Sequence, residues 1–222
     1  MIVVVTGTGT DVGKTWFTAA TIEVLRAAGH AVTACKPVQS FAPGDEGTTD
    51  ADVLARASGA DPHSVCPEHR WLPMAVAPPM AAASLGLPPF TIAHLAEEVK
   101  ARSAQSADET FAFVEGAGGV RSPIAEDGDT VALAHALAAD RVVIVADAGL
   151  GTINAVRLTV AALTGWTPVV ALNRYESSNP LHRDNRAWLS ERDGFNVVMT
   201  PAELGNELTS DLTRRGARPG RS

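Results

Sequence analysis

The chain has 222 residues, a formal net charge of −7 and 45% hydrophobic residues, enough for one sizeable core. Its acidic balance and the lack of a Lys/Arg run argue against a nucleic-acid partner, and its first apolar stretch, with no basic leader before it, is too short to span a membrane. Two cysteines, Cys35 and Cys66, make neither a disulfide framework nor a metal-ligand spacing, which predicts a reducing, cytoplasmic setting.

In chain order, residues 2–5 read as a strand and residues 14–28 as a helix closed by Gly29. Between them runs Gly7-Thr8-Gly9-Thr10-Asp11-Val12-Gly13-Lys14-Thr15. Strand, glycine-rich turn, Gly-Lys-Thr and helix form the phosphate cradle of a P-loop protein. Glycines let the backbone approach phosphate oxygens, and successive amides converge there with the positive end of the helix. Asp11, Val12 and Gly13 are then ATP contacts, with Trp16 at the rim. Lys14 is expected to reach the terminal phosphates and Thr15 to ligate Mg²⁺. Gly7 and Gly13 enclose five residues, one more than the usual loop.

A second strand over residues 31–35 leads into Cys35-Lys36-Pro37-Val38-Gln39-Ser40. Pro37 biases Lys36 toward an extended backbone, so its side chain is expected to leave the strand end toward the cradle. Residues 50–57 read as a helix whose start, Thr48-Thr49-Asp50-Ala51-Asp52, offers two acids, either of which serves as a helix cap or a metal-side ligand. Residues 67–89, broken by Pro73, Pro78, Pro79, Gly86 and Pro88, read as a long surface loop. A helix over residues 92–103 and a strand over 110–114 follow. That strand ends in Glu115-Gly116-Ala117-Gly118-Gly119: an acid placed to hold Mg²⁺, then glycines whose amides can approach the γ-phosphate or its acceptor. Arg121 reads as a solvated loop charge.

Beyond it, the elements alternate: helix 131–138, strand 141–146, helix 154–163, strand 168–172, helix 181–192 and strand 195–199. Leu150, Gly151, Thr152 and Asn154 sit where free helix amides suit a carboxylate. The strands are mostly unbroken apolar runs, as in sheets covered on both faces. The expected fold is α/β: one P-loop domain over residues 1–222, a mostly parallel central sheet with helices on both faces, and a frayed tail at 214–222. Ligands then bind at the carboxyl ends of the strands.

Four blocks (residues 7–15, 35–40, 114–119 and 150–154) resemble, in order, those of the dethiobiotin synthetase family, whose loops share the five-residue spacing. The likeness covers residues 1 to about 175 and fades afterward. It implies ATP-dependent closure of 7,8-diaminononanoate and CO₂ to dethiobiotin, through a carbamate and a carbamic–phosphoric anhydride. It implies that Lys14 and Lys36 stabilise the phosphoryl group and carbamate, and that Thr15, Asp50 and Glu115 surround Mg²⁺. Asp50 is preferred over Asp52 because the family's acid lies six residues before an arginine-like position, here Arg56. Ser40 would touch the diamine end, and Gly118 would contact both the substrate and ATP. Leu150, Gly151, Thr152 and Asn154 would seat the tail carboxylate from a neighbouring subunit, making a homodimer with shared sites. Asn173 matches an adenine contact, with Arg174 and Pro201 as base-side neighbours. Two other classes share the loop. Partition-type switch ATPases carry an early lysine where Gly9 stands, and amidating synthases carry an attached amidotransferase domain.

Overall fold

The computed structural model describes residues 1–44, 49–103 and 111–216. Six strands make one parallel sheet: β1 (Ile2–Gly7), β2 (Val32–Cys35), β5 (Phe111–Glu115), β8 (Arg141–Asp147), β9 (Val169–Asn173) and β10 (Asn196–Val198). Their order across the sheet is β10-β9-β8-β1-β5-β2. Two short ribbons lie outside it: β3 (Gln39–Ser40) with β4 (Trp71–Leu72), and β6 (Pro123–Ala125) with β7 (Gly128–Asp129). The helices are α1 (Lys14–Ala27), α2 (Asp50–Ser58), α3 (Pro62–Val65), α4 (Pro78–Ser84), α5 (Ile92–Ser103), α6 (Thr130–Ala136), α7 (Thr152–Ala162), α8 (Pro180–Ala187) and α9 (Pro201–Gly216).

The valine-rich run of β1 explains its central place. Val3 and Val5 join one core with Phe17, Ile22, Leu54, Phe113 and Leu208, while Val4 joins the other with Leu95, Val114, Leu133, Ile144 and Leu172. A strand buried on both faces has no polar side to show, so apolar residues fill every position. α1 buries Phe17, Thr18, Thr21, Ile22 and Leu25, a helical stripe against the sheet. From β1 the chain runs toward β2 at one edge; after β5 it crosses β1 to β8 and continues toward the other edge. The crevice above β1 and β8 is therefore the switch point where such sheets bind ligands.

Three expectations are corrected. Residues 67–89 are not a surface loop: they hold β4 and α4, and Leu72, Ala81 and Ala82 are buried. The paired prolines open α4, where a fixed φ and a missing N–H cost nothing, and three alanines carry the helix on. The span 181–192 is not one regular helix, because α8 passes into a wider π turn at Trp188–Arg192. The tail is helical through Gly216, and Arg214 pairs with Asp211 at 2.6 Å; residues 217–222 lie outside the described residues, as do Thr48 and Thr110. Smaller shifts move element ends by a residue or two, most visibly α7, which starts at Thr152. Among the described residues no helix is long and apolar enough to cross a membrane.

Candidate active site

The loop between β1 and α1 turns through two left-handed residues, Asp11 (φ 58°) and Gly13 (φ 87°). A Cβ on Gly13 would lie 2.0 Å from Asn173 Nδ2, so no larger residue fits there. That nitrogen donates to Val12 O at 3.0 Å, and Arg174 Nη2 donates to Asp11 O at 3.0 Å. Arg174 also pairs with Asp147 at 2.7 Å. Asn173 and Arg174, expected beside the base, thus brace the loop from the end of β9. On the other side, Val120 N donates to Gly7 O at 3.1 Å, tying the glycine-rich turn after β5 to the same loop. Lys14 folds over it, its Nζ donating to Gly9 O at 3.0 Å. Burial, then the neighbouring Lys36 ammonium, lower the Lys14 pKa, against a partial opposing pull from Glu115, Asp50 and Asp11.

Beside the loop, four side chains meet, from α1, α2, the end of β5 and the turn after β2. Thr15 Oγ1 lies 2.7 Å from Asp50 Oδ1 and 2.8 Å from Glu115 Oε1. Lys36 Nζ lies 2.6 Å from Asp50 Oδ2, 2.8 Å from Glu115 Oε1 and 3.0 Å from Gly116 O. Both Lys36 and Glu115 are only 1% exposed. Burial works against the Lys36 charge, but Asp50 and Glu115 outweigh it and hold the ammonium well above the usual lysine range. Burial likewise opposes ionisation of Asp50, and Lys36, with Thr15, outweighs it and holds that carboxyl below its ordinary value.

These residues fit a divalent ion. Glu115 Oε2 is buried without a hydrogen-bond partner, and the Thr15 hydroxyl faces two carboxylates with one proton to donate. Among the described residues no three His, Cys, Asp or Glu side chains make a metal cage. Two carboxylates and a hydroxyl instead suit a hard ion that keeps waters and takes phosphate oxygens. Asp52 stands apart from this cluster and closes a capping box with Thr49.

The other expected residues are spread over several elements. Gly116 packs where a Cβ would lie 2.4 Å from Thr130 Oγ1, and Gly118 takes a φ of 67°. Ala117 packs against the core that contains Val4. Ser40 is half-buried on β3, paired with Leu72. Trp16 is 59% exposed, edge-on to Phe17. Pro201 opens α9, one residue after Thr200, whose hydroxyl accepts from Glu203 N at 3.1 Å. Gly151 caps α7 at φ 89°, Thr152 is buried, Asn154 is exposed, and Leu150 is 91% exposed, turned to solvent. No hydrogen bond or ion pair among the described residues joins this segment to Lys36 or Glu115 of the same chain.

Comparison with known proteins decides the family. A family model described as an AAA domain matches residues 2–198. An ATP-dependent dethiobiotin synthetase BioD of Streptomyces avermitilis is 38% identical over 99% of this chain and 90% of its own. That of Anaeromyxobacter dehalogenans is 40% identical over 96% of both chains. The chain belongs to the dethiobiotin synthetase family.

Solved structures carry the same fold at greater distance. The signal recognition particle receptor FtsY of Elizabethkingia anophelis superposes with a TM-score of 0.53 at 14% identity, over 95% of this chain and 64% of that one. The signal recognition particle 54 kDa protein of Aeropyrum pernix gives 0.51 at 14% identity, over 97% and 46%. Two residues of this family member escaped the sequence reading. Asn185, buried on α8, donates through Nδ2 to Ala148 O and Gly149 O, each at 2.9 Å, and so fixes the turn before α7. Gln39 joins β3 to the start of α2. Each is a single amide residue whose partner is set by tertiary packing, so no local signal marks the first; the second stood in a quoted block without a role.

Proposed function

We propose that the protein is an ATP-dependent ligase of biotin biosynthesis that carboxylates and closes 7,8-diaminononanoate to dethiobiotin. The observation that carries this reading is the buried Lys36, paired with Asp50 and Glu115, the same two carboxylates that meet Thr15 beside the P-loop. One substrate amine adds to CO₂ and gives up a proton, forming a carbamate. The carbamate oxygen takes the γ-phosphoryl group of ATP, and ADP leaves. The second amine then attacks the carbonyl carbon of the mixed anhydride, phosphate departs with the former carbamate oxygen, and the proton given up by that amine leaves with the phosphate.

No protein nucleophile is required, because both amines belong to the substrate. Catalysis then consists of holding and neutralising oxygens. Lys14 and the loop amides, including those of Asp11, Val12 and Gly13, grip the terminal phosphates. Lys36 stabilises the carbamate and the transferring phosphoryl oxygens. Thr15, Asp50 and Glu115 would hold Mg²⁺, which would supply charge neutralisation for the transferring phosphoryl group. The amides of Gly116, Ala117 and Gly118 face the transferring group, and Ser40 contacts the diamine end. Asn173, Arg174 and Pro201 border the base.

The active species we propose is a cytoplasmic homodimer. Leu150, in the turn just before α7, and Leu158, on α7, are 91% and 66% exposed, and large apolar side chains left in solvent suit a second copy. The amides at the start of α7 would then receive the carboxylate of a diamine bound mainly to the partner. The test is phosphate release from MgATP with and without diaminononanoate and bicarbonate, coupled to mass detection of dethiobiotin. One dethiobiotin per phosphate, dependent on the diamine, is expected; hydrolysis indifferent to the diamine would overturn the reading.

A further inference from the structure

Gln39 has no part in the chemistry above, yet it is buried where β3 meets α2. Its Oε1 accepts from Ala51 N at 3.0 Å, and its Nε2 donates to Thr49 Oγ1 at 3.3 Å. Asp50 lies between the two residues that Gln39 holds.

That placement resolves a local conflict. The first turn of a helix presents unsatisfied N–H groups and a positive dipole end, both of which attract acidic side chains. α2 has two acids there, Asp50 and Asp52. Asp52 is spent on the cap: its Oδ2 accepts from Thr49 N at 2.9 Å and from Thr49 Oγ1 at 2.7 Å, while Asp52 N donates to Thr49 Oγ1 at 3.3 Å. The Ala51 amide is taken by Gln39. With these amides satisfied, the Asp50 carboxylate reaches away from its own helix, to Thr15 Oγ1 and Lys36 Nζ.

We propose that Gln39 is a positioning residue for the divalent ion. It fixes the first turn of α2 so that Asp50 faces Thr15 and Glu115 instead of capping its own helix. The proposal rests on the reading of Asp50 as an ion-side acid. It also means that one short segment, Gln39 and Ser40, sets both the ion-side acid and the proposed diamine contact.

The probe is Mn²⁺, titrated by electron paramagnetic resonance into protein saturated with ADP, with the melting temperature recorded alongside. Asp50→Asn is expected to weaken Mn²⁺ by more than about 10-fold; unchanged affinity would sink the reading of Asp50 and the proposal with it. Gln39→Met removes both hydrogen bonds at nearly constant volume and is expected to weaken Mn²⁺ about 10-fold, the low end for outer-shell partners. Gln39→Glu keeps an acceptor for the Ala51 amide and is expected to recover most of that loss. If Asp50→Asn loses Mn²⁺ while Gln39→Met lowers only the melting temperature, Gln39 is a packing residue and the proposal fails. Should Gln39→Met not fold, Gln39→Asn replaces it: the amide falls one methylene short of Ala51, so a comparable loss of Mn²⁺ is expected and full affinity refutes the idea.

Discussion

Lys36→Met isolates the charge of the buried ammonium without opening a large cavity. Lys36 makes two ion pairs, but they do not weigh equally. The Asp50 side chain is 44% exposed, so water screens that pair and little stability is lost with it. Glu115 is buried, its Oε2 has no hydrogen-bond partner, and without Lys36 its side-chain hydrogen bonding is reduced to the Thr15 hydroxyl. Removing one partner of such a buried pair costs roughly 3–5 kcal/mol. For a chain of this size about 2–4 °C accompanies each kcal/mol, so the variant should melt roughly 6–20 °C below the parent. A divalent ion supplies the missing positive charge, so MgADP should raise the melting temperature of Lys36→Met more than that of the parent. Scanning fluorimetry with and without MgADP measures both. A variant that melts within 2–3 °C of the parent, roughly a 1 kcal/mol effect, would refute the electrostatic argument. So would an equal MgADP shift in the two proteins.

Lys14→Ala should lose both nucleotide affinity and turnover, whereas Lys36→Ala should abolish ring closure with a modest change in ADP affinity; titration with a fluorescent ADP analogue separates them, and equal losses of affinity would count against the division of roles. Where α9 meets the start of β8, burial opposes the Asp211 charge, but hydrogen bonds from Arg141 and Arg214 outweigh it and hold the carboxyl below its ordinary value. A depressed carboxyl stabilises the folded state above its unfolded pKa, so Asp211→Asn should be less stable than the parent at pH 7. The gap should close as pH falls from about 4 through the folded pKa, as urea melts would report, and a gap that stays constant over that range contradicts the assignment. Leu158→Glu should convert a dimer to monomers in light scattering and, if sites are shared, reduce ring closure while sparing ADP binding. An unaltered mass would move the interface elsewhere.

Much of the site was legible because its parts are local. A glycine-rich turn between an apolar strand and a helix has one chemical use that demands Gly13 and Lys14 in that order, and unbroken apolar runs mark strands covered on both faces. Helix-forming alanines hidden behind paired prolines were not legible, because a proline reads as a breaker until its place at a helix start is known. Asp50 and Asp52 share one helical turn, and residue type alone leaves both as caps. The approach of α1 and Lys36 separates them: one acid meets Thr15, the other stays on Thr49. Asn173 and Val12 are 161 positions apart, and Lys36 and Glu115 are 79 apart. Local pattern encodes strand, turn and helix, which depend on neighbours a few residues away. The pairing of buried charges and the bracing of the loop depend on which strand ends lie side by side, and only the order of the sheet decides that.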